Sequence, residues 1–174
     1  NAGKLSGWLS FTYARSLVKV DGENYWEQIN QGNWYPANYD IPVSLNGVMN
    51  LRANRRLSIS SNLVYHTGRP ITYPVTLFQL EDNRYTSYSG RNEYRIPDYF
   101  RIDLSVNLEG NLKSKKFWHS YWMLNIYNLT GRKNAYSVFF KNEDGKIQGY
   151  KMSVFSRPII TLSWNFKLGN YASD

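Results

Sequence analysis

The stretch DYFRIDLSVNLEG, residues 98–110, alternates apolar and polar side chains without interruption between Phe100 and Leu108. A period of two places successive side chains on opposite faces of an extended chain. The stretch therefore predicts a β-strand with one apolar face and one polar face. The apolar positions are Phe100, Ile102, Leu104, Val106 and Leu108, and the polar positions between them are Arg101, Asp103, Ser105 and Asn107.

The same alternation recurs over residues 4–16, 41–54, 57–67, 117–128 and 158–168. Each run has about ten residues or more, whereas strands of soluble proteins cluster near about 5–6 residues. A tilted strand needs about 9–11 residues to cross a bilayer. We therefore predict an all-β chain in which six antiparallel strands form the wall of a transmembrane β-barrel. In this prediction residues 1–168 belong to the wall, and residues 169–174 form a short periplasmic tail.

The connections between these runs alternate in length. The short turns lie at residues 53–56 and 109–116, and the long segments lie at residues 17–40, 68–97 and 129–157. Outer-membrane barrels have short periplasmic turns and long extracellular loops. This order therefore places the long segments outside the cell and the C-terminus in the periplasm. Within the last long segment, residues 135–141 and 146–154 predict a hairpin that extends strands five and six above the membrane.

Composition excludes several other classes of protein. The mean hydropathy of the 174 residues is −0.55, which excludes helical spans but not barrel strands, where every second residue faces lipid. The net charge is +8, but the basic residues are scattered or lie in turns, so we expect no nucleic-acid partner. There is no Cys, and His66 and His119 lie on different strands without zinc-ligand spacing. Because no catalytic motif is present, we expect no enzyme activity, no cofactor and no metal.

Aromatic and charged residues give the candidate sites. Trp26, Trp34 and Tyr35 lie in the first long segment, where they either contact a ligand or pack the loop against its neighbours. Arg101 and Asp103 share the polar face of one strand. In a barrel both would face the lumen and line a substrate path, contact a plug, or form an ordinary cross-strand ion pair. The tryptophans predicted for a membrane-interface belt are Trp118, Trp122 and Trp164.

Several phrases of the sequence resemble the last strands of TonB-dependent outer-membrane receptors, particularly Bacteroidetes-type receptors with a carboxypeptidase-like regulatory extension upstream. The similarity covers nearly the whole chain and includes the final strand at residues 160–168. The other phrases are GNWYPANYD at residues 32–40, GRPIT at 68–72, YRIPDYFRID at 94–103, NIYNL at 125–129 and RKN at 132–134.

The resemblance implies a barrel of about 22 strands whose lumen is filled by a plug domain. It implies capture of a scarce nutrient outside the cell, such as a metal chelate, a cofactor, a glycan or a peptide. Import would use energy from the inner-membrane TonB complex. The implied partners are the plug and the preceding strands of the same receptor, the TonB complex through the N-terminal part, and outer-membrane lipid.

Two departures from the family pattern stand out. The plug and the TonB-binding box are not in this chain, and the last strand is followed by residues 169–174 instead of ending on an aromatic residue. Six strands cannot close a membrane barrel, and an open edge in lipid would leave backbone groups unpaired. We therefore expect the 174 residues to be part of a larger wall.

Two other functions account for the same alternation. A passive porin or an adhesin-type barrel would share the wall and lack the plug. A soluble β-sandwich that binds glycans through its aromatic residues would have long amphipathic strands with water on the polar face. The sequence upstream of residue 1 would distinguish the porin or adhesin from a receptor, because only a receptor carries a plug there. Solubility without detergent would distinguish the β-sandwich from both barrels.

Overall fold

The computed structural model describes residues 4–81, 83–110, 118–143 and 146–168. The predicted tail at residues 169–174 and the side chain of Trp118 lie outside this described part. Within it the chain forms fourteen β-strands and two 3-10 helices, Tyr25–Glu27 and Asn30–Gly32, and no α-helix. No helix among these residues is long and apolar enough to cross a membrane.

In chain order the strands are β1 (Leu5–Tyr13), β2 (Leu17–Val18), β3 (Tyr35–Pro36), β4 (Val43–Arg52), β5 (Leu57–His66), β6 (Pro70–Ile71), β7 (Pro74–Leu80), β8 (Asn83–Tyr88), β9 (Tyr94–Arg95), β10 (Tyr99–Glu109), β11 (Trp118–Tyr127), β12 (Ala135–Glu143), β13 (Lys146–Ser153) and β14 (Ile159–Leu168). Six of these strands coincide with the six predicted runs. The largest difference at a strand end is in β1, which ends at Tyr13 and not at residue 16.

The six long strands of the described chain form one antiparallel sheet, here called the main sheet, in the order β1-β4-β5-β10-β11-β14. Each strand pairs with the next long strand along the chain, which makes the sheet a meander. The prediction of an all-β chain with six long antiparallel strands is confirmed. The main sheet is open, with β1 and β14 at its edges.

The register of the main sheet gathers most apolar residues of its strands on one side, called the apolar face, while Trp8, Val48, Val64 and Met123 lie on the opposite side. One row across that face consists of Leu5, Leu51, Ile59, Val106, Leu124 and Leu162. The adjacent row on the opposite, polar face consists of Ser6, Asn50, Ser60, Ser105, Asn125 and Thr161. A slip of one residue between two strands would exchange the faces of one of them. The hydrophobic pattern therefore specifies the register as well as the strands.

Aromatic residues lie toward both ends of the apolar face, with aliphatic residues between them. The aromatic residues toward the long loops, at the loop end, are Phe11, Tyr13, Tyr65 and Phe100. Those toward the connection at residues 53–56, at the turn end, are Trp122, Trp164 and Phe166. In β10, Phe100 marks the loop end of this pattern and Leu108, which pairs with Trp122, marks the turn end. The two residues are eight positions apart. At about 3.3 Å per residue, they are separated by about 26 Å along β10.

No second layer within the described part of the chain covers the apolar face. On the edge strands Leu9 is 72% exposed and Ile160 is 68% exposed. The buried hydrophobic residues of the described part lie instead in the loops, at Tyr35, Ala37, Ile96 and Ala135. Since soluble domains bury an apolar sheet face against another layer, the main sheet departs from their usual arrangement.

The long connections fold into small sheets at the loop end. Loop 1 (residues 14–42) pairs β2 with β3, loop 2 (residues 67–98) pairs β6 with β9 and β7 with β8, and loop 3 (residues 128–158) pairs β12 with β13. The predicted hairpin in loop 3 is confirmed, but β12 and β13 form a sheet of their own and do not continue β11 and β14. The hairpin of β7 and β8 was not predicted, because its strands lack a sustained alternation of apolar and polar residues.

Candidate functional site

The buried carboxylate of Asp40, near the end of loop 1, contacts the beginning of the same loop and loop 2. Its Oδ1 accepts a hydrogen bond from the Ser16 amide at 2.7 Å, and its Oδ2 contacts the Arg95 guanidinium. Arg15 Nε lies 3.4 Å from the same Oδ2. Arg95 Nη1 also donates to the carbonyl oxygens of Asp40 and Gly68, both at 2.9 Å. Charge-assisted bonds of this kind hold the two loops in one arrangement.

The surroundings of Asp40 favour its charged form. Burial raises the pKa of Asp40, but the Ser16 amide and the Arg95 guanidinium donate hydrogen bonds that lower it. The positive charges of Arg15 and Arg95 lower it further, so the pKa of Asp40 lies below its ordinary value. The carboxylate is therefore ionised at neutral pH and pairs with both arginines.

Two asparagines fasten loop 1 to loop 2 beside this cluster. Asn92 Nδ2 donates to the Pro36 carbonyl and to Asn38 Oδ1, both at 2.8 Å. Asn30 Oδ1 accepts from the Arg91 amide at 2.6 Å, and Asn30 Nδ2 donates to the Arg91 carbonyl at 3.0 Å. Asn30 and Asn92 have φ angles of 53° and 58°, in the left-handed region that asparagine tolerates better than most residues.

Two other asparagine side chains organise loop 3: Asn134 binds it to the main sheet, and Asn128 makes hydrogen bonds within the loop. The Asn134 carboxamide accepts from the Phe100 amide at 3.0 Å and donates to the Phe100 carbonyl at 2.9 Å, so it occupies the ladder position of a neighbouring strand. The Asn128 side chain is buried and donates to the carbonyl oxygens of Arg132 and Phe155, at 3.1 and 3.0 Å. These bonds fix the start and the end of loop 3 together.

Arg101 is the centre of a polar cluster at the loop end of the polar face. Its Nε donates to Asp103 Oδ2 at 3.0 Å, and its Nη1 donates to the hydroxyl oxygens of Tyr99 and Tyr127 at 3.1 and 2.8 Å. Arg101 Cζ lies 4.5 Å from the centroid of the Tyr127 ring. The structure thus places the predicted pair Arg101 and Asp103 in contact. Arg101 and Asp103 are both in β10, so their ion pair lies within one strand. It is not the cross-strand ion pair that the sequence analysis considered.

Asp103 positions Arg101 through bonds on both of its carboxylate oxygens. Its Oδ1 accepts from the Asn128 amide at 2.9 Å, and its Oδ2 accepts from Asn62 Nδ2 at 3.3 Å as well as from Arg101. Because both oxygens are engaged, this carboxylate orients the guanidinium and ties β10 to the beginning of loop 3. Asp103 is therefore a positioning residue for Arg101.

A cavity of about 420 Å³ opens above Arg101, between the polar face and loops 2 and 3. Its lining includes His66, Arg101 and Tyr127 from the main sheet, Arg69 from loop 2 and Phe155 from loop 3. This volume falls in the range of about 300–1,000 Å³ that small-ligand sites occupy. It is called the Arg101 cavity below.

The three aromatic residues predicted to contact ligand occupy different surroundings in loop 1. Trp34 is 65% exposed and Tyr35 is buried, and both line a shallow pocket of about 380 Å³ between loops 1 and 2. Trp26 is 79% exposed in the first 3-10 helix and is not part of that pocket. Tyr35 fits the loop-packing role that the sequence also allowed, while Trp26 and Trp34 present their rings to the surface.

The two histidines make different contacts. The His66 ring stacks on Tyr99 with centroids 4.7 Å apart, and His66 Nδ1 lies 3.1 Å from the Thr67 carbonyl. His119 Nε2 lies 2.7 Å from Glu109 Oε2. Among the described residues no group of three or more His, Asp or Glu side chains is arranged to hold a metal ion.

Sequence reasoning missed the residues that complete the Arg101 cavity. The period of two places Tyr99 and Arg101 on one face, so the sequence alone could have identified Tyr99 as a neighbour of Arg101. Tyr127 joins them through the pairing of β10 with β11, which aligns Leu104 with Ile126. Arg69 and Phe155 come from loops whose conformation depends on the asparagine contacts above, and no periodicity indicates them.

In comparisons with protein-family models, with characterised proteins and with solved structures, none matches this chain.

Proposed function

We propose that this chain forms part of the wall of an outer-membrane β-barrel that takes part in active nutrient uptake. In this proposal the apolar face contacts lipid and the polar face lines the interior. The long loops lie outside the cell, and the short turns lie in the periplasm. The whole transporter captures a scarce nutrient and imports it with energy from the inner-membrane TonB complex.

The observation that carries the membrane part of the proposal is the uncovered apolar face. Rows of Leu, Ile and Val extend across the main sheet, and large side chains on both edge strands are more than half exposed, including Phe11 at 67% and Leu162 at 64%. Burying apolar surface stabilises a protein by about 25 cal/mol per Å². A water-exposed face of this width would forgo that stabilisation, whereas lipid covers it.

The dimensions of the main sheet support the same proposal. Its strands contain 9 to 11 residues, which is the length required for a tilted transmembrane strand. Aromatic residues flank the aliphatic band at both ends, as the aromatic girdles of outer-membrane barrels do. The hydroxyl of Tyr65 reaches Asp98 Oδ2 at 2.8 Å at the loop end, so this ring has one apolar side and one polar tip.

The open edges of the main sheet support the proposal of further strands. Backbone groups on the outer sides of β1 and β14 need partners in a bilayer, because lipid supplies none. Known single-chain membrane barrels have at least eight strands. We therefore infer that further strands of the same receptor complete the barrel. The family resemblance implies about 22 strands and a plug.

The uptake part of the proposal rests on the resemblance of the sequence and on the organisation of the loops. Loops 1 and 2 are joined by a buried ion pair and by asparagine hydrogen bonds, and Arg69 joins loop 2 to loop 3. Loop 1 carries the exposed Trp26 and Trp34. Long loops held in a defined arrangement usually serve recognition. The nutrient would first meet these loops and would then enter the interior along the polar face.

Membrane fractionation tests the location directly. The native protein should separate with the outer membrane and should require detergent for extraction. It should keep its β-sheet circular dichroism after transfer to lipid vesicles. Recovery as a soluble protein with native sheet signal in detergent-free buffer would contradict the proposal and would favour the glycan-binding β-sandwich.

A further inference from the structure

The geometry points to the Arg101 cavity as a binding site for a small anionic ligand that carries a flat apolar group. The anion, a carboxylate for example, would pair with Arg101, and the flat group would contact the surrounding rings. This inference deepens the proposed function and rests on it for its biological meaning, because it names a substrate class for the interior of the barrel.

The charge of the cavity favours an anion. Two guanidinium groups, those of Arg69 and Arg101, line it, and no Asp or Glu is among its described lining residues. Asp103 neutralises part of the Arg101 charge from below, outside the cavity lining. The Arg101 side chain is 21% exposed, so the pair is partly withdrawn from water and an incoming anion would be attracted more strongly than at an open surface.

Arg101 also has unused hydrogen-bonding capacity. Its Nε and Nη1 donate to Asp103 and to two tyrosine hydroxyls, whereas Nη2 donates to no group in the described part of the chain. A guanidinium has five N–H donors in a fixed plane. The contacts on Nε and Nη1 hold that plane, and Nη2 keeps two donors for a carboxylate or phosphate oxygen. Arg101 is thus oriented before any ligand arrives.

Aromatic rings supply the complementary surface for a flat group. Tyr99 stacks on His66, and Phe155 meets Tyr127 edge to face with centroids 5.9 Å apart. Phe155 has a φ of 52°, which is unusual for a bulky residue, and the Asn128 bond to its carbonyl helps hold this conformation. Phe155 is still 59% exposed. A strained backbone that presents an exposed ring at a cavity is typical of a binding site.

Calorimetric titration of the native protein in lipid nanodiscs with 2-naphthoate tests the inference. This probe combines a carboxylate with a flat ring system, and 2-naphthamide keeps the ring system without the charge. The protein should bind 2-naphthoate and should bind 2-naphthamide about tenfold more weakly or worse, as the loss of a charge-assisted hydrogen bond requires. Equal affinity for the two probes, or no binding of 2-naphthoate, would overturn the inference.

Variants assign the binding to the cavity. Arg101→Gln should weaken 2-naphthoate binding by about tenfold or more. Arg55→Gln, at an exposed arginine in the connection at the turn end, removes the same charge outside the cavity and should leave the affinity unchanged. Equal affinities of the two variants would place the probe elsewhere and overturn the inference.

A third variant covers the case in which Arg101→Gln does not fold. Tyr127→Phe keeps the ring and the arginine but removes the hydroxyl that accepts from Nη1 and helps to hold the guanidinium plane, so it should weaken 2-naphthoate binding several-fold. An unchanged 2-naphthoate affinity in this variant would count against the site. Membrane fractionation is a separate measurement, so failure of the ligand site and failure of the proposed function are distinguishable.

Discussion

Trp122 and Trp164 face each other across β11 and β14 on the apolar face, with ring centroids 6.0 Å apart and ring planes 23° apart. Trp164 also contacts Phe166, whose centroid lies 5.4 Å away. These rings lie at the turn end of the aliphatic band, opposite Tyr65 and Phe100 at the loop end. An indole ring suits the headgroup level of a membrane because it is apolar with one polar N–H. The position of this pair therefore indicates where the main sheet would meet the interface.

A charge in the middle of the apolar face should be costly. Leu104→Arg is expected to lower the free energy of unfolding by about 2–4 kcal/mol, because the guanidinium would enter lipid near the midplane. Asn107→Arg, on the polar face of the same strand, should cost far less, because in the proposed barrel that face lines the polar interior and does not meet lipid. Urea unfolding in lipid vesicles measures both. Equal losses would argue that water contacts both faces.

Acid should loosen the junction of loops 1 and 2. The folded-state pKa of Asp40 is lowered, so its contribution to stability is complete above the ordinary carboxyl pKa and is lost as the pH falls through the folded-state value. The protection factors of the Ser16 and Ala37 amides against hydrogen exchange should therefore fall below about pH 4. Asp40→Asn should show low protection already at pH 7. Protection independent of pH in the unchanged protein would contradict the role of the buried pair.

Loop 3 should depend on the carboxamide of Asn134. Asn134→Ala leaves the amide and the carbonyl of Phe100 without their partners, which should cost about 1–3 kcal/mol in local stability. Hydrogen exchange at Phe100 should accelerate accordingly. Asn142→Ala, at an exposed position near the tip of the β12–β13 hairpin, serves as the matched control and should have no effect there. Equal exchange in the two variants would show that other contacts hold loop 3.

The exposed tryptophans of loop 1 should contribute to substrate capture. Changing Trp26 and Trp34 together to Ala is expected to weaken capture of the transported nutrient by about tenfold or more, as for other aromatic residues at binding hot spots. Tyr35→Phe keeps a buried ring and should have little effect. Growth on single iron, cofactor or glycan sources identifies the nutrient, and its binding to the whole receptor measures the change. Unchanged affinity in a folded barrel would assign both rings to loop packing.

The strands were predictable from sequence because a period of two determines both the conformation and the face of each residue. The same alternation also restricts the register. Aligning Leu104 with Ile126 and Ile160 keeps the apolar sides of β10, β11 and β14 on one face of the sheet. The β7–β8 hairpin was not predictable in this way, because its pairing is irregular between Pro74 and Thr76 and its apolar residues do not alternate. Local turn and contact chemistry decides the conformation there.

The candidate site was only partly predictable for a related reason. Arg101 and Asp103 were identified as neighbours on the polar face of one strand, and the structure pairs them. Arg69 and Phe155 approach the same cavity from loops 2 and 3, and their positions depend on single hydrogen bonds such as that from Arg69 Nη2 to the Tyr136 carbonyl at 2.8 Å. Contacts between segments this far apart along the chain leave no pattern in one sequence.

Spin-label accessibility along β10 tests the central claim most directly. The chain contains no Cys, so single cysteines at each position from 102 to 107 can carry a nitroxide without background. In lipid vesicles, labels at Ile102, Leu104 and Val106 should be accessible to molecular oxygen, which concentrates in the bilayer, and shielded from a water-soluble nickel chelate. Labels at Asp103, Ser105 and Asn107 should show lower accessibility to oxygen, giving a period of two. Free access of the nickel chelate to position 104, or protection of that position from both reagents, would contradict a lipid-facing wall.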